Sequence, residues 1–504
     1  MAGRIGNSKL ASKVMSAEDA AALINDGDSL GCSGFTGAGY PKAVPPALAT
    51  RIKEAHDRGE EFMVRIFTGA STAPELDGVL ADVNGISFRT PYQSDPGMRR
   101  AMNDGTSNYA DIHLSHVAKL VDMGYLGPID FAIVEASQIT EDGKIVPSSS
   151  VGMSRTYLDR AKKIIIEVNS WQSEELYGMH DIYYGIGQLP PNTPPIPITH
   201  TGDRIGDKAF TIDLDKVVAV VETNAPDRNS PFKALDEDSK KIAGYLLDLF
   251  DYEVSHGRMP QNLFPLQSGV GNIANAVLAG LLDSKYENLT SYTEVVQDGM
   301  VNLIDAGKVT VASATSFSLS PDMAHHMNEN AASYRDKIIL RPQDVSNHPE
   351  VIRRLGVIAC NGMIEADIYG NVNSTHISGT RMMNGVGGSG DFTRNASLSI
   401  FVSPSTAKGG NISTIVPMVS HVDHTEHDVM VIITEQGVAD LRGLAPRQRV
   451  NSVIDNCAHP DYRAALHEYY DRALKVSKGI HTPHDLDSAF SFHTRLRDTG
   501  TMMP

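Results

Sequence analysis

The sequence has little cysteine and no spacing that would pair it. Its three cysteines, Cys32, Cys360 and Cys457, lie far apart in a chain of 504 residues. This odd, dispersed set excludes a disulfide framework and a CxxC metal site, and it is typical of a reducing compartment. The N-terminal residues lack an apolar signal core, and no run approaches the ~20 apolar residues that a membrane helix needs. We therefore predict a soluble, cytoplasmic protein with no membrane partner.

Positive charge is also scarce. The chain has 44 Lys and Arg against 61 Asp and Glu, which gives a formal net charge of -17. This deficit argues against nucleic acid as the main partner, because phosphate-backbone binding needs a surplus of basic residues. A phosphorylated small molecule needs only a local basic spot and stays possible. The length is too great for one hydrophobic core, so we expect two or more domains.

Several familiar catalytic motifs are absent. The chain has no GxSxG elbow, no HExxH and no Walker A pattern, and its glycine loops do not match GxGxxG, which disfavours a nicotinamide enzyme. One stretch, His421–His427, is a candidate metal site, since histidines three apart share one face of a helix. The alternative is a solvated polar loop between two strands.

Apolar runs that alternate with helical patterns predict the fold class. Strands are predicted at Val64–Thr68, Phe131–Glu135, Lys163–Val168 and Lys216–Glu222. Such alternation is typical of α/β proteins with mainly parallel, buried sheets. A further short strand precedes the glycine loop 34–39, where the strand–loop–helix order suits contact with an anion or a close backbone. The glycines serve equally well for a tight turn alone.

The second half of the sequence repeats the order of the first. Glu135-Ala136 and Glu365-Ala366 each precede a glycine-bounded segment, and the run that starts at Ala161 corresponds to the run that starts at Ala396. We therefore predict two tandem, related, open α/β domains with the active site in the cleft between them, where ligand sites are common. The predicted boundaries are 1–224 for the N-terminal domain, 225–231 for a polar, proline-containing linker, and 232–504 for the C-terminal domain.

One carboxylate stands out in the stretch Ser291–Gly299. Glu294 lies between an apolar run, Leu289–Thr293, and a turn or helix start at Asp298-Gly299. A glutamate at a strand end is usually a cap or an exposed polar residue. It also suits nucleophilic catalysis, since it is ionised at neutral pH with a reference pKa of ~4.3. The spacing leaves both interpretations open.

A larger set of motifs supports the nucleophile. It comprises Ser33–Lys42, Gln267–Asn272, Thr293–Met300, Asn361–Thr375, Met383–Phe392, Ser403–Gly410 and Thr434–Gly443. Through these segments the chain resembles, nearly end to end, the class I coenzyme A-transferases of the acetyl-CoA hydrolase/transferase family, and within them the succinyl-CoA:acetate type. The motifs show no departure from the family pattern.

The resemblance implies a catalytic set. Glu294 would form an acyl-glutamyl anhydride and then a glutamyl-CoA thioester, with Val270 and Gly388 as backbone N–H donors to the oxyanions. Asn347 and Glu435 would lie near the reacting carbon. The guanidinium of Arg228 would hold a substrate carboxylate, and the alternative for this residue is an interdomain ion pair.

The resemblance also implies how coenzyme A is held. It acts as substrate and product and not as a tightly bound cofactor, and the implied contacts are Gly269, Val270, Gly271, Asn272, Ile273, Ile364, Asn384, Gly388 and Lys408. The implied partners are acyl-CoA, short carboxylic acids and a second copy of the chain in a homodimer. Three rivals stay open, namely an acyl-CoA hydrolase on the same fold, a non-catalytic acyl-CoA-binding protein, and a metal-dependent hydrolase at His421–His427.

Overall fold

The structure is a computed structural model that describes residues 3–228, 235–269 and 271–504. The chain divides into two compact units. The first takes Met1–Pro231, Thr290–Ile304 and Val309–Leu355, and the second takes Phe232–Leu289, Asp305–Lys308 and Gly356–Pro504. Glu294 thus belongs to the unit that contains the N-terminal residues, whereas the division predicted from the sequence places it in the C-terminal domain. Compactness does not follow chain order here, because two segments from beyond the linker pack with the N-terminal residues.

The strands, in chain order, are β1 Ser29–Cys32, β2 Val64–Phe67, β3 Ile86–Thr90, β4 Asn108–Tyr109, β5 Phe131–Ile139, β6 Ile145–Pro147, β7 Lys163–Asn169, β8 Val217–Thr223, β9 Leu266–Ser268, β10 Leu289–Tyr292, β11 Val295–Gln297, β12 Val309–Ala314, β13 Ser316–Ser318, β14 Ile338–Leu340, β15 Ile358–Gly362, β16 Glu365–Asp367, β17 Val372–Asn373, β18 His376–Ile377, β19 Arg381–Met382, β20 Leu398–Val402, β21 Thr406–Ala407, β22 Ile412–Ser413, β23 Ile415–Val416, β24 Val431–Thr434 and β25 Gly437–Asp440.

The α-helices are α1 Ser8–Ala11, α2 Ala17–Ala21, α3 Val44–Asp57, α4 Val79–Asp82, α5 Pro96–Asp104, α6 Leu114–Asp122, α7 Ser154–Arg160, α8 Glu237–Ser255, α9 Asn272–Leu282, α10 Asp298–Asp305, α11 Pro321–Tyr334, α12 Gln343–Ser346, α13 Pro349–Leu355, α14 Ser389–Asn395, α15 Pro446–Cys457, α16 Pro460–Val476 and α17 Ser491–Thr499. A single π-helical turn, Pro74–Gly78, precedes α4.

The first unit is built on a sheet whose strands lie in the order β4-β3-β2-β1-β5-β7-β8. Every pairing along this path is parallel, and only β6 joins β5 antiparallel. The apolar runs in the sequence are these strands, because a parallel sheet covered on both faces buries consecutive side chains. The core around it includes Leu48, Ile66 and Ile165, each with no exposed surface.

Two further runs of strands repeat this order. The first unit also contains β14-β12-β10, and the second unit is built on β9-β15-β20-β24, with β25 antiparallel to β24. These runs correspond, strand for strand, to β4-β3-β2 and β1-β5-β7-β8 of the first sheet. The core of the second unit includes Phe401, Ile432 and Leu466, all fully buried. The predicted α/β class with mainly parallel sheets is confirmed.

The helices carry the same repetition. Helices α7 and α14 both have seven residues, and they end immediately before Ala161 and Ala396, which cap them in extended conformation. Each is followed by a buried strand, β7 or β20. The internal correspondence found in the sequence therefore extends to local structure. The predicted N-cap at Ser16 is also confirmed, since its side chain accepts a hydrogen bond from the backbone N–H of Asp19 at 3.0 Å.

A buried ion pair holds β3 to the turn that precedes α4. Arg89 Nε lies 2.7 Å from Asp77 Oδ1, and neither side chain has exposed surface. Burial raises the pKa of Asp77, while the charge of Arg89 opposes that shift. Arg89 also donates to the carbonyls of Ser71 and Thr90, both at 2.6 Å. Removing the carboxylate would leave this guanidinium charged and unneutralised in the core.

We expect Asp77→Ala to lower the free energy of unfolding of this unit by about 3–5 kcal/mol, because breaking a buried pair leaves an uncompensated charge. Asp82→Ala is the matched control, since its pair with Arg100 is exposed at 64% and 61% and should cost less than about 1 kcal/mol. Urea unfolding followed by the fluorescence of Trp171, the single tryptophan, measures both. Equal losses in the two variants would contradict the argument.

Among the helices of residues 3–228, 235–269 and 271–504, none combines the length and the apolar character needed to cross a bilayer.

Candidate functional site

Glu294 lies at the junction between strands β10 and β11, and its side chain is half-buried. Its backbone carbonyl accepts hydrogen bonds from the N–H groups of Thr315 and Ser316, at 2.9 and 3.2 Å. Strand β11 runs parallel to β13, in register from Val295 opposite Ser316. The backbone of the carboxylate-bearing residue is therefore fixed on one side by a neighbouring strand.

Asn347 binds the side chain of Glu294. Its Nδ2 donates to Oε1 of Glu294 at 3.1 Å, while its Oδ1 accepts from the hydroxyl of Ser346 at 2.9 Å. The Ser346 contact fixes the orientation of the amide, so that its nitrogen faces the carboxylate. Asn347 and Ser346 are both fully buried. Tyr292 at the end of β10 adds a tether, since its hydroxyl donates to the carbonyl of Val345 at 2.7 Å.

An apolar cluster lies directly beside this carboxylate. Val295, the next residue, packs with Phe35, Ala70 and Leu114, and Tyr92 lies against them. Burial first, and then the charge of Glu294, raise the pKa of Tyr92 to about 12. Tyr92 thus stays a neutral phenol near the carboxylate at physiological pH. The Glu294 carboxylate thus accepts a hydrogen bond from the Asn347 amide and lies next to a cluster of apolar side chains.

The glycine loop 34–39 is hydrogen-bonded to strand β13. The hydroxyl of Ser316 donates to the carbonyl of Phe35 at 3.2 Å, and the N–H of Thr36 donates to Ala70 O at 2.9 Å. Thr36 has a φ of 52°, a conformation that costs a β-branched residue free energy and that its surroundings must impose. The loop is therefore a packed part of the Glu294 environment within the first unit.

Arg228 is joined to the other side of this loop. Its N–H donates to Gly37 O at 2.8 Å. A Cβ at position 37 would lie 2.5 Å from the carbonyl oxygen of Arg228, so only glycine fits there. The guanidinium pairs with the carboxylate of Glu75, which also accepts from the Tyr40 hydroxyl at 3.0 Å. Arg228 therefore forms an ion pair within the first unit and not the interdomain pair of the alternative interpretation. Its substrate role stays a prediction.

Glu435 lies in the second unit, at the end of β24. Its carboxylate accepts from the backbone N–H of Ser405 at 2.7 Å, from the Ser405 hydroxyl, and from Gln436 Nε2 at 2.8 Å. Burial acts to raise the pKa of Glu435, but the hydrogen bonds from Ser405 and Gln436 outweigh it and the pKa is lowered. Glu435 is therefore a carboxylate at neutral pH and is already well supplied with donors.

Gly388 is buried and immediately precedes helix α14, and its carbonyl accepts from the N–H of Phe392 at 3.1 Å. Ser389 follows it. The Ser389 hydroxyl lies 2.8 Å from Val386 O and 3.1 Å from Nε2 of His424. These contacts fix the loop before α14 within the second unit. Asn384, at the start of that loop, donates through Nδ2 to Gly385 O at 2.8 Å.

The remaining predicted coenzyme A contacts are also in the second unit. Lys408 is exposed at the tip of the β21–β22 hairpin, with a φ of 49°. Gly269 and Gly271 both precede α9, and Gly271, at its N-cap position, has a φ of 137° that favours glycine. Val270 lies outside the described residues. Residues of intermediate exposure complete the set, namely Asn272, Ile273 and Ile364.

The helical interpretation of His421–His427 is wrong. These residues form turns and one bridge to Val372, as the polar-loop interpretation predicts. His424 is buried, and its Nε2 faces the hydroxyls of Ser374 and Ser389 at 3.3 and 3.1 Å. Over the described ranges, no three His, Cys, Asp or Glu side chains gather as a metal-ligand set.

Three residues that contact the predicted site residues were not predicted from the sequence. Ser346 directly precedes the predicted residue Asn347, and Ser405 belongs to the motif Ser403–Gly410, so both lie next to residues that the sequence indicated. Glu75 is an isolated glutamate in the π-helical turn, and nothing in its spacing relates it to Arg228. Only the folded chain brings these two residues together.

Comparison with known proteins identifies the family of this chain. Residues 4–222 match the acetyl-CoA hydrolase/transferase N-terminal domain, and residues 324–470 match the C-terminal domain of that name. The chain is 50% identical to a succinyl-CoA:acetate CoA-transferase of Clostridium kluyveri, over 99% of this chain and 92% of that protein. It is 46% identical to an acetyl-CoA hydrolase of Eremothecium gossypii, over 97% and 96%.

Among solved structures, RipA from Yersinia pestis has the same fold. The TM-score is 0.71 at 24% identity, covering 94% of this chain and 99% of that one. The two domain matches cover residues 4–222 and 324–470, and the alignments with the two relatives extend over nearly the whole chain. The chain is therefore an enzyme of the acetyl-CoA hydrolase/transferase family.

Proposed function

We propose that this enzyme is a CoA-transferase that moves coenzyme A between succinyl-CoA and acetate, with Glu294 as the covalent carrier. The observation that carries the proposal is the hydrogen bond from the buried Asn347 amide to the half-buried Glu294 carboxylate. It occurs in a chain that is 50% identical to a transferase of this specificity. A carboxylate with one amide donor and an apolar wall is poised for attack on a thioester.

In the first half-reaction, Glu294 Oε attacks the thioester carbonyl of succinyl-CoA, and the C–S bond breaks to release CoA thiolate. The product is a succinyl-glutamyl anhydride. The thiolate then attacks the Glu294 carbonyl of the anhydride, which forms the glutamyl-CoA thioester and expels succinate. Glutamate suits this exchange because it is chemically equivalent to the substrate acids, so that the successive acyl compounds lie close in energy.

In the second half-reaction, acetate attacks the glutamyl-CoA thioester and gives an acetyl-glutamyl anhydride with CoA thiolate. Attack of that thiolate on the acetyl carbonyl forms acetyl-CoA and restores the Glu294 carboxylate. Each attack places negative charge on a carbonyl oxygen, which hydrogen-bond donors stabilise. The Asn347 amide suits an oxygen of the glutamyl carbonyl. Roles for Val270, Gly388, Glu435 and Lys408 are proposed from the family resemblance alone, as is a homodimer.

The rival within the family is acetyl-CoA hydrolysis, which the 46% identity to a hydrolase favours. A thiol-reactive dye distinguishes the two activities. With acetyl-CoA alone we expect thiol release to be negligible, whereas added succinate should convert acetyl-CoA into succinyl-CoA without net thiol release. Thiol release from acetyl-CoA alone at the rate of transfer would favour the hydrolase.

The covalent carrier has its own test. Protein incubated with succinyl-CoA and then denatured should contain coenzyme A attached at Glu294, detectable by mass spectrometry of the peptide that spans β10 and β11. Borohydride should reduce that thioester and protect the position against later labelling. A protein that binds acyl-CoA without forming an adduct would contradict the mechanism.

A further inference from the structure

The backbone at Arg228 is anchored by its neighbour Asp227, which is 9% exposed. Asp227 Oδ1 accepts from Gly39 N at 3.0 Å and lies 3.0 Å from Lys42 Nζ. Its Oδ2 accepts from Ser149 Oγ at 2.5 Å and from Gln172 Nε2 at 3.1 Å. Four partners therefore hold Asp227 in place beside the glycine loop. The backbone of the next residue, Arg228, is fixed as a consequence.

The Arg228 side chain contrasts with this anchor. It is 51% exposed, and its partner Glu75 is 31% exposed. The bond from Nε to Glu75 Oε2 is long, at 3.4 Å, beside the closer contact of Nη2 with Oε1. A solvent-screened pair of this kind is held by a small free energy. The guanidinium can change its partner by side-chain rotation while its backbone stays in place.

Glu75 is held from the side opposite to solvent. Its Oε2 accepts from the hydroxyl of Tyr40, a buried residue of the segment that follows the glycine loop. The carboxylate is thus presented to Arg228 in the geometry that a planar guanidinium prefers for any carboxylate. A second carboxylate that approaches Arg228 must compete with it for the same donors.

We infer that Glu75 is a specificity-determining residue, occupying on Arg228 the place that the distal carboxylate of a dicarboxylic acyl substrate takes. The inference rests on the proposed function and on the substrate role of Arg228 that the family resemblance implies. Monocarboxylic acids carry no group that competes with Glu75. The pair therefore weakens the binding of succinate relative to acetate or propionate, and it leaves Arg228 neutralised when a monocarboxylic acid reacts.

The test compares KM for succinate with KM for propionate, each with acetyl-CoA as donor. Glu75→Gln keeps the shape and an oxygen for Tyr40 but removes the competing charge. We expect the ratio of succinate KM to propionate KM to fall about two- to fivefold, the scale of an exposed ion pair. Arg228→Met should raise the same ratio about tenfold or more, since it removes a charged hydrogen-bond donor. In the double variant, Glu75→Gln should have no further effect.

Glu60→Gln is the matched control, because the Arg58–Glu60 pair is similarly exposed at 58% and 57% and the ratio should stay at its wild-type value. A ratio that is unchanged or raised in Glu75→Gln, while Arg228→Met raises it, would overturn the inference and leave the proposed function intact. An unchanged ratio in Arg228→Met would remove Arg228 from substrate binding and the inference with it. Absence of any acetyl-CoA to succinate transfer would refute the proposed function itself.

Discussion

Replacement of Glu294 by alanine should lower kcat/KM for acetyl-CoA to succinate transfer by about 10⁴- to 10⁶-fold, the scale on which a covalent nucleophile contributes. The neighbouring amide of Asn347 cannot form the anhydride in its place, because its nitrogen, a hydrogen-bond donor, faces Oε1 of Glu294. The variant should also form no covalent CoA adduct, which mass spectrometry after mixing with succinyl-CoA would show.

Glu287→Gln serves as control for this experiment. Glu287 precedes β10 in the chain and is 60% exposed in a pair with Lys308, so the variant should keep wild-type turnover and adduct formation. Turnover of Glu294→Ala within tenfold of wild type would mean that the carboxylate is a structural strand-end residue. Activity lost together with the thermal unfolding transition would point to misfolding, which a melting curve of the same sample detects.

The second large effect is expected at Asn347. Asn347→Ala removes the amide that donates to Glu294 Oε1 at 3.1 Å, and we expect kcat to fall about 10²–10³-fold, as for the loss of an oxyanion-hole donor. Ser346→Ala removes only the hydroxyl that orients the amide, so its effect should be smaller than tenfold. Stopped assays over a range of succinate concentrations separate the loss in kcat from any change in KM.

Asn347→Asp tests whether a charge at position 347 acts directly on the Glu294 carboxylate. A second carboxylate beside Glu294 disfavours the charged form of both, so the pKa of Glu294 is raised. Only the ionised form attacks, and activity is therefore lost at a higher pH as the solution is acidified. We expect the acidic limb of the kcat profile to move to higher pH in this variant and not in Asn347→Ala. Superimposable limbs in Asn347→Asp and the wild type would refute direct contact between the two groups during turnover.

The strands of the parallel sheets could be predicted from the sequence because burial on both faces requires continuous apolar runs. The predicted strands beginning at Val64, Phe131 and Lys163 start at those residues in the structure. The repeat between the two halves could be recognised in the sequence for the same reason. Two segments with the same order of strands keep similar buried residues and similar helix caps. Local chemistry thus sufficed wherever neighbours in sequence decide the structure.

Other features depend on residues far apart in the chain. The amide of Asn347 meets Glu294 across 53 positions and Arg228 meets Glu75 across 153. Neither periodicity nor spacing predicts these contacts, and the family resemblance implied only that Asn347 lies near the reacting carbon. In the His421–His427 segment a sequence pattern was misleading. Histidines three apart share a face only on a helix, and these residues form a loop. By itself the sequence determined the sheets, the glycine loops and the identity of the nucleophile candidate. The tertiary structure alone decided that the nitrogen of Asn347 faces that carboxylate, that Ser346 orients the amide, and that Glu75 neutralises Arg228. Hydrogen bonds and ion pairs depend on distances that only the packed chain sets.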